Sequence, residues 1–255
     1  MQGPFETAWA RSPGPDAVAG LTTHQGEPVD YGRLCAQHDA YLQWLRDAGV
    51  DVHVLPPLAG HPDAYFVEDA AVILGDLAVI TRPGAPSRRG EAVAMAAALA
   101  EVKRLCTIEP PGTLDGGDVL WVGSTLFIGL SGRTNRAGAA QLATAAESMG
   151  LDAVTVTVPE GLHLKSSVTA LNEETLLSTP EFAQNDAFSG FRHVRVPLGE
   201  EPAANSLWVG DLILLPADFP GTLARVQAAG FDVRCLDNSE IRKMDGGFSC
   251  LSLRW

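Results

Sequence analysis

Residues 70–81 read Ala70-Ala71-Val72-Ile73-Leu74-Gly75-Asp76-Leu77-Ala78-Val79-Ile80-Thr81. Two short apolar runs are hinged by Gly-Asp, a pair that predicts a tight β-hairpin. Beyond this hairpin, helical spacing over 87–105 predicts a helix with Ala92, Met95, Ala96, Leu99 and Val102 turned inward. A strand is expected next, at Cys106–Glu109.

The same unit then recurs. Val119–Val122 and Leu126–Ile128 flank Gly123-Ser124, and a helix with Ala139, Leu142, Ala146 and Met149 inward runs to Gly150, before a strand at Ala153–Val158. Ser167–Leu171 and Thr175–Ser178 flank Asn172-Glu173-Glu174; the helix there is poorly marked, and a strand follows at His193–Val196. Leu207–Val209 and Leu212–Leu215 flank Gly210-Asp211, leading to a helix near 218–229 and a strand at 231–236. A fifth hairpin is expected at Phe248–Trp255, with no helix after it. The hairpins return about every 40–50 residues, the mark of an internal repeat.

One such unit cannot bury both faces of its strands, so several must share a core. Residues 31–48 form a helix with Leu34, His38, Leu42 and Leu45 on one face, and Asp51–Leu55 a strand. These supply what the fifth hairpin lacks. The expectation is an α/β ring of five pseudo-symmetric ββαβ units, one domain over 1–255, with its termini adjacent.

The 255 residues are 46% hydrophobic, enough for a sizeable core. A net charge of −13 repels phosphate backbones and anionic lipid, so neither nucleic acid nor membrane is an expected partner. It suits a cationic small molecule, and equally it suits plain solubility. Cys35, Cys106, Cys235 and Cys250 are scattered without a C-x-x-C pair, which argues against a disulfide framework or a zinc cluster. Without a basic, apolar leader or a long apolar run, the chain reads as soluble, reduced and cytoplasmic.

A ring of this kind carries its chemistry where the hairpin entrances meet the axis. The entrances are 63–69, 114–118, 161–166, 203–206 and 245–250, and they hold Asp63, Glu68, Asp69, Asp115, Asp118, His163, Asn205, Asp245 and Cys250. A cysteine nucleophile needs an acid/base partner, and His163 is the leading one. Asp115 is placed to orient that histidine. The two glycines after Asp115 let backbone approach closely and take positive φ. Taken singly, Cys250 also reads as a small buried hydrophobe and His163 as an ordinary surface or core residue. Adjacent carboxylates at Glu68-Asp69 cost several kcal/mol if buried unpaired, and they suit a planar, forked guanidinium. Arg88 or Arg89, and Arg133, stand at helix starts where a carboxylate end of the same ligand would bind.

Several phrases carry a resemblance over most of the chain: Pro62-Asp63 with Phe66-Val67-Glu68-Asp69, the run Thr81–Arg89, Leu114–Leu120, Gly129–Asn135, Leu162–Lys165, Ala203–Asn205 and Asp245–Trp255. Together they resemble the dimethylarginine dimethylaminohydrolase family of the guanidine-modifying superfamily. The resemblance implies a five-bladed α/β propeller that hydrolyses Nω-methylated arginines to citrulline and an amine, without metal or cofactor. It implies Cys250 as nucleophile, His163 as general acid/base and Asp115 as its positioning residue. Glu68 and Asp69 would face the guanidinium. Asp63, Arg88 and Arg133 would face the amino-acid end. Leu21 would sit in a mobile lid over 14–26, and the Met244 carbonyl would touch substrate. Met244 stands where the family usually has Val or Ile, and Phe248 where it usually has Val or Leu. The implied partner is a small methylarginine, and the protein itself a monomer or homodimer. Arginine, agmatine or a related guanidine is the alternative substrate, and a non-catalytic arginine-binding protein the alternative class.

Overall fold

The computed structural model describes residues 5–159 and 161–255; the reading of Met1–Pro4 lies outside them. In chain order the elements begin with β1 (Thr7–Arg11), α1 (Tyr31–Asp47) and β2 (Asp51–Leu55). The next unit is β3 (Ala71–Leu74), β4 (Leu77–Ile80), α2 (Arg89–Leu99) and β5 (Arg104–Thr107). Then come β6 (Val119–Val122), β7 (Thr125–Leu130), α3 (Arg136–Ser148) and β8 (Asp152–Thr157), followed by β9 (Val168–Ala170), β10 (Thr175–Ser178) and β11 (Arg192–Arg195). The chain ends with β12 (Leu207–Val209), β13 (Leu212–Pro216), α4 (Pro220–Ala228), β14 (Asp232–Leu236), α5 (Ser239–Lys243) and β15 (Leu253–Arg254).

These strands make five three-stranded sheets with one plan. An inner strand pairs antiparallel with a middle strand, and the middle strand pairs parallel with an outer one. In the four sheets built from β3 to β14 the antiparallel step is a hairpin, and at Gly75, Gly123 and Gly210 the turn takes positive φ, which glycine adopts without a Cβ clash. The parallel step needs a crossover, and a helix supplies it. In the fourth sheet that helix is absent. Two 3-10 turns, Phe182–Gln184 and Asp186–Phe188, replace it between Pro180 and Gly190, and they still bury Phe182 and Phe188.

Burial follows the radius of the ring. All four residues of β3 are buried, while all four of the outer strand β5 are exposed. The core is divided into five apolar clusters, each shared by two neighbouring sheets. The last cluster joins Leu207, Val209 and Leu214 of the fifth unit to Ala8, Leu34 and Leu45 of the first, so the circle closes. The architecture is therefore a pseudo-symmetric five-bladed α/β propeller.

Two expectations need correction. The terminal hairpin does not form within 248–255. Residues 249–251 are a 3-10 turn, only Leu253–Arg254 is strand, and the middle strand of that blade is β1 from the other end of the chain. Ala8 pairs with Arg254 and Trp9 with Leu253, and β1 then pairs in parallel with β2. Val102 is half exposed because α2 ends at Leu99, six residues earlier than the spacing suggested. Among the described residues no helix is long and apolar enough to cross a membrane.

His38 of α1 is buried with neither ring nitrogen hydrogen-bonded, and burial pulls its pKa down to about 4. Because the folded pKa lies below the unfolded value, its contribution is intact above about pH 6.5 and is lost as pH falls through about 4. By denaturant unfolding, the protein should lose roughly 2–3 kcal/mol more than a His38→Leu variant between about pH 7 and 4.5. Equal losses in the two proteins would show that His38 is not the acid-sensitive group.

Candidate active site

Every inner strand is entered through a short 3-10 turn: Val67–Ala70, Gly116–Asp118, Leu164–Ser166, Glu201–Ala204 and Ser249–Leu251. The five turns ring the axis, and each carries or adjoins a chemically active side chain. The first bears Glu68 and Asp69, Asp115 and His163 immediately precede the second and third, Asn205 follows the fourth, and Cys250 lies in the fifth.

A small cavity of about 20 Å³ lies among them, room for about one water. Cys250, His163 and Asp69 line it, together with Asp63, Arg88, Arg133, Leu21 and Met244. Asp115 stands one layer behind, wholly buried, and its Oδ2 lies 2.9 Å from His163 Nε2. Its other oxygen accepts from the Gly84 N–H at 2.8 Å, and its own N–H donates to Thr134 Oγ1. Asp115 is thus held through both carboxylate oxygens and its backbone N–H. The glycines after Asp115 serve close approach alone, since neither has positive φ. A Cβ on Gly116 would meet the Glu68 carbonyl at 1.9 Å, and one on Gly117 would meet His163 Nδ1 at 2.5 Å.

The two adjacent carboxylates part company. Asp69 faces the cavity; the Gly117 N–H donates to Oδ1 at 2.9 Å and Arg88 is paired to Oδ2. Glu68 turns the other way, where Lys165 and Arg254 donate to Oε1 and Ser249 Oγ to Oε2. Glu68, Lys165 and Arg254 line a second small cavity of about 30 Å³. Arg88, and not Arg89, reaches the site, but its guanidinium is fully occupied by Asp69, Glu91 and the carbonyls of Asp63 and Phe66. Arg133 is freer: it approaches only Asp115 Oδ2, at 3.6 Å, among the described residues. The Leu21 N–H donates to Asp63 Oδ1 at 2.9 Å, and Thr23 is bonded to both carboxylate oxygens of Asp245. The segment 20–24 is thereby tied to two residues that line the cavity, and Leu21 lines it too.

Burial and charge set the proton positions. Burial works against a charged His163, but Asp69, Asp115 and Asp118 outweigh it and raise its pKa to about 9. Burial, with the nearby carboxylates Glu68 and Asp69, pushes the Cys250 thiol up to about 12. Burial also raises Asp63, whereas at Asp69 burial is overcome by His163 and Arg88 and the carboxyl stays well below its usual range. Near neutral pH the site therefore holds a thiol and an imidazolium. Asp69, Asp115 and His163 bring donor atoms within 4.8 Å of one another, a possible metal set, though each is already engaged by the others or by Arg88, Gly84 and Gly117.

Arg254, Glu91 and Ser249 escaped the sequence reading. A charge in the apolar run Leu251–Trp255, and a Glu three residues after Arg88, were the available signals.

Residues 54–194 match the arginine deiminase family. The chain is 40% identical to the N(G),N(G)-dimethylarginine dimethylaminohydrolase of Pseudomonas aeruginosa, over 98% of this chain and all of that one. It is 39% identical to the enzyme of the same name from Streptomyces coelicolor, over 98% of this chain and 97% of that one. A solved structure of the Pseudomonas protein, a cysteine-to-serine variant complexed with citrulline, superposes with a TM-score of 0.96 at 38% identity, covering 99% of this chain and all of that one.

The protonation state is directly measurable. In the ultraviolet difference between the protein and a Cys250→Ser variant, no thiolate band should appear near pH 8, because that is far below about 12. A full thiolate band at that pH would contradict a neutral resting thiol.

Proposed function

The chain belongs to the arginine deiminase family, in its dimethylarginine dimethylaminohydrolase branch, and we propose that it hydrolyses Nω-methylated arginines to citrulline and dimethylamine or methylamine. The observation that carries this reading is one cavity in which Cys250 meets Asp69 and a His163 oriented by Asp115.

In the proposed cycle, Asp63 and Arg133 take the ammonium and carboxylate of the substrate, beside the backbone of Leu21 and Met244. Asp69, held by Arg88, takes the guanidinium. Glu68 is committed to Lys165 and Arg254 and contributes charge rather than a direct bond. The bound cation compensates the carboxylates that help hold the thiol neutral, so Cys250 releases its proton to solvent as substrate binds. The thiolate attacks the guanidinium carbon and a C–S bond forms. The C–N bond to the methylated nitrogen breaks as His163 gives its proton to the departing amine. This leaves an alkylthiouronium on Cys250. His163, now neutral, takes a proton from water; the oxygen adds to the same carbon, and the C–S bond breaks to release citrulline. Asp115 engages one ring nitrogen and leaves the other to exchange the proton.

The remaining attributes follow the same reading: one catalytic domain, a monomer or homodimer, in the cytoplasm. Four free cysteines suit a reducing compartment.

A citrulline assay over dimethylarginine, monomethylarginine, arginine and agmatine tests the assignment. The methylated arginines should give the highest kcat/KM. Asp115→Asn should lower kcat by about 10²–10⁴-fold with a much smaller change in KM, as expected when a histidine loses its orienting carboxylate. Preferential turnover of arginine or agmatine would reassign the substrate, and absence of citrulline from all four would overturn the reading.

A further inference from the structure

The second entrance turn carries an acidic residue that the cycle above does not use. Asp118 is fully buried at the foot of β6. Its Oδ1 accepts from the N–H of Leu164, the residue after His163, at 2.9 Å. Its Oδ2 accepts from Ser131 Oγ at 2.6 Å. That hydroxyl in turn accepts from the N–H groups of Arg133 at 3.0 Å and Thr134 at 3.2 Å. A hydroxyl has one proton and two lone pairs, so Ser131 is saturated and its direction is fixed: it donates to Asp118. Thr134 then completes the circuit by accepting from the Asp115 N–H. Space is reserved for this carboxylate, since a Cβ on Gly129 would meet its Oδ1 at 2.7 Å.

Resting on the function proposed above, we infer that Asp118 is a positioning residue that fixes the His163 segment and the Arg133 segment relative to one another. The proton donor and the substrate-carboxylate contact are thereby set by one buried side chain. Asp118 also adds to the charge around the histidine. The carboxylates that raise His163 are Asp69, Asp115 and Asp118; the cations nearby are Arg88 on Asp69 and Arg133 by Asp115, with Cys250 lining the same cavity.

Two substitutions separate these roles. In Asp118→Asn one accepting oxygen becomes an NH2; with the remaining oxygen kept on the Leu164 N–H, the amide would bring a third donor to Ser131 Oγ and leave the hydroxyl proton without an acceptor, so the 131–134 segment must shift. KM for dimethylarginine should rise about tenfold, the scale of one buried hydrogen bond lost. With one negative charge gone from beside His163, the alkaline limb of kcat should move to lower pH. Ser131→Ala keeps that charge and the Leu164 tie. It should raise KM while leaving the alkaline limb in place. The His163 ring titration, followed by NMR in the wild type and in Asp118→Asn, gives the same pH shift without requiring turnover.

An active wild type whose Asp118→Asn variant keeps both its KM and its alkaline limb would overturn the inference. So would a variant that loses kcat with an unmoved His163 titration. If Asp118→Asn does not fold, Ser131→Ala decides alone, and an unchanged KM defeats the proposal. A wild type that makes no citrulline defeats the proposed function instead, and the ring titration still tests the placement of Asp118.

Discussion

Glu68 and Asp69 stand side by side in one turn, and the negative charge they bury is the constraint around which the centre of the molecule is arranged. Two ionised carboxylates out of water cost several kcal/mol each unless they are paired and hydrogen-bonded. The turn resolves this by sending them in opposite directions. Glu68 is met by Lys165 and Arg254, Asp69 by Arg88 and, across the cavity, by His163. The cations come from several different blades, so neutralising the pair also locks those blades together. Arg88 is held in turn by Glu91. Removing one member of such a set leaves a buried charge uncompensated, which is the costly event.

The same field governs the chemistry. Asp69, Asp115 and Asp118 raise His163 to about 9, while burial, with Glu68 and Asp69, holds the Cys250 thiol near 12, so both groups are protonated at rest. Such a cysteine resists ionisation and incidental reaction until something positive is bound beside it. In the proposed cycle a guanidinium supplies that charge at the position where attack is needed, and selectivity for a cation is then built into activation of the nucleophile, beyond whatever direct contacts the cavity offers. Segment 20–24 is tied to this arrangement through Asp63 and Asp245.

Much of the fold was legible because strands buried on both faces lack polar residues, and because Gly-Asp or Gly-Ser marks the hairpins. Strand β1 was missed for a physical reason: its partner β15 lies at the opposite end of the chain, and Thr7–Arg11 has no hairpin turn to announce it. At the site, the repeat placed Cys250, His163 and Asp115 at equivalent entrances, and the cavity gathers the first two with the third directly behind. The opposed directions of Glu68 and Asp69 were not legible, since neighbouring residues part ways only once the 3-10 turn is formed. Nor was the role of Arg254, whose partner Glu68 belongs to another blade.

The central claim is that Cys250 becomes covalently bonded to substrate carbon when a guanidinium occupies the cavity. Acid-quenching the protein during turnover of dimethylarginine, then mapping its peptides by mass spectrometry, tests this most directly. The account predicts an adduct on the Cys250 peptide that carries the substrate skeleton with dimethylamine lost, and no adduct on peptides of Cys35, Cys106 or Cys235. Citrulline formed at full rate with the Cys250 peptide unmodified at every quench time would contradict it.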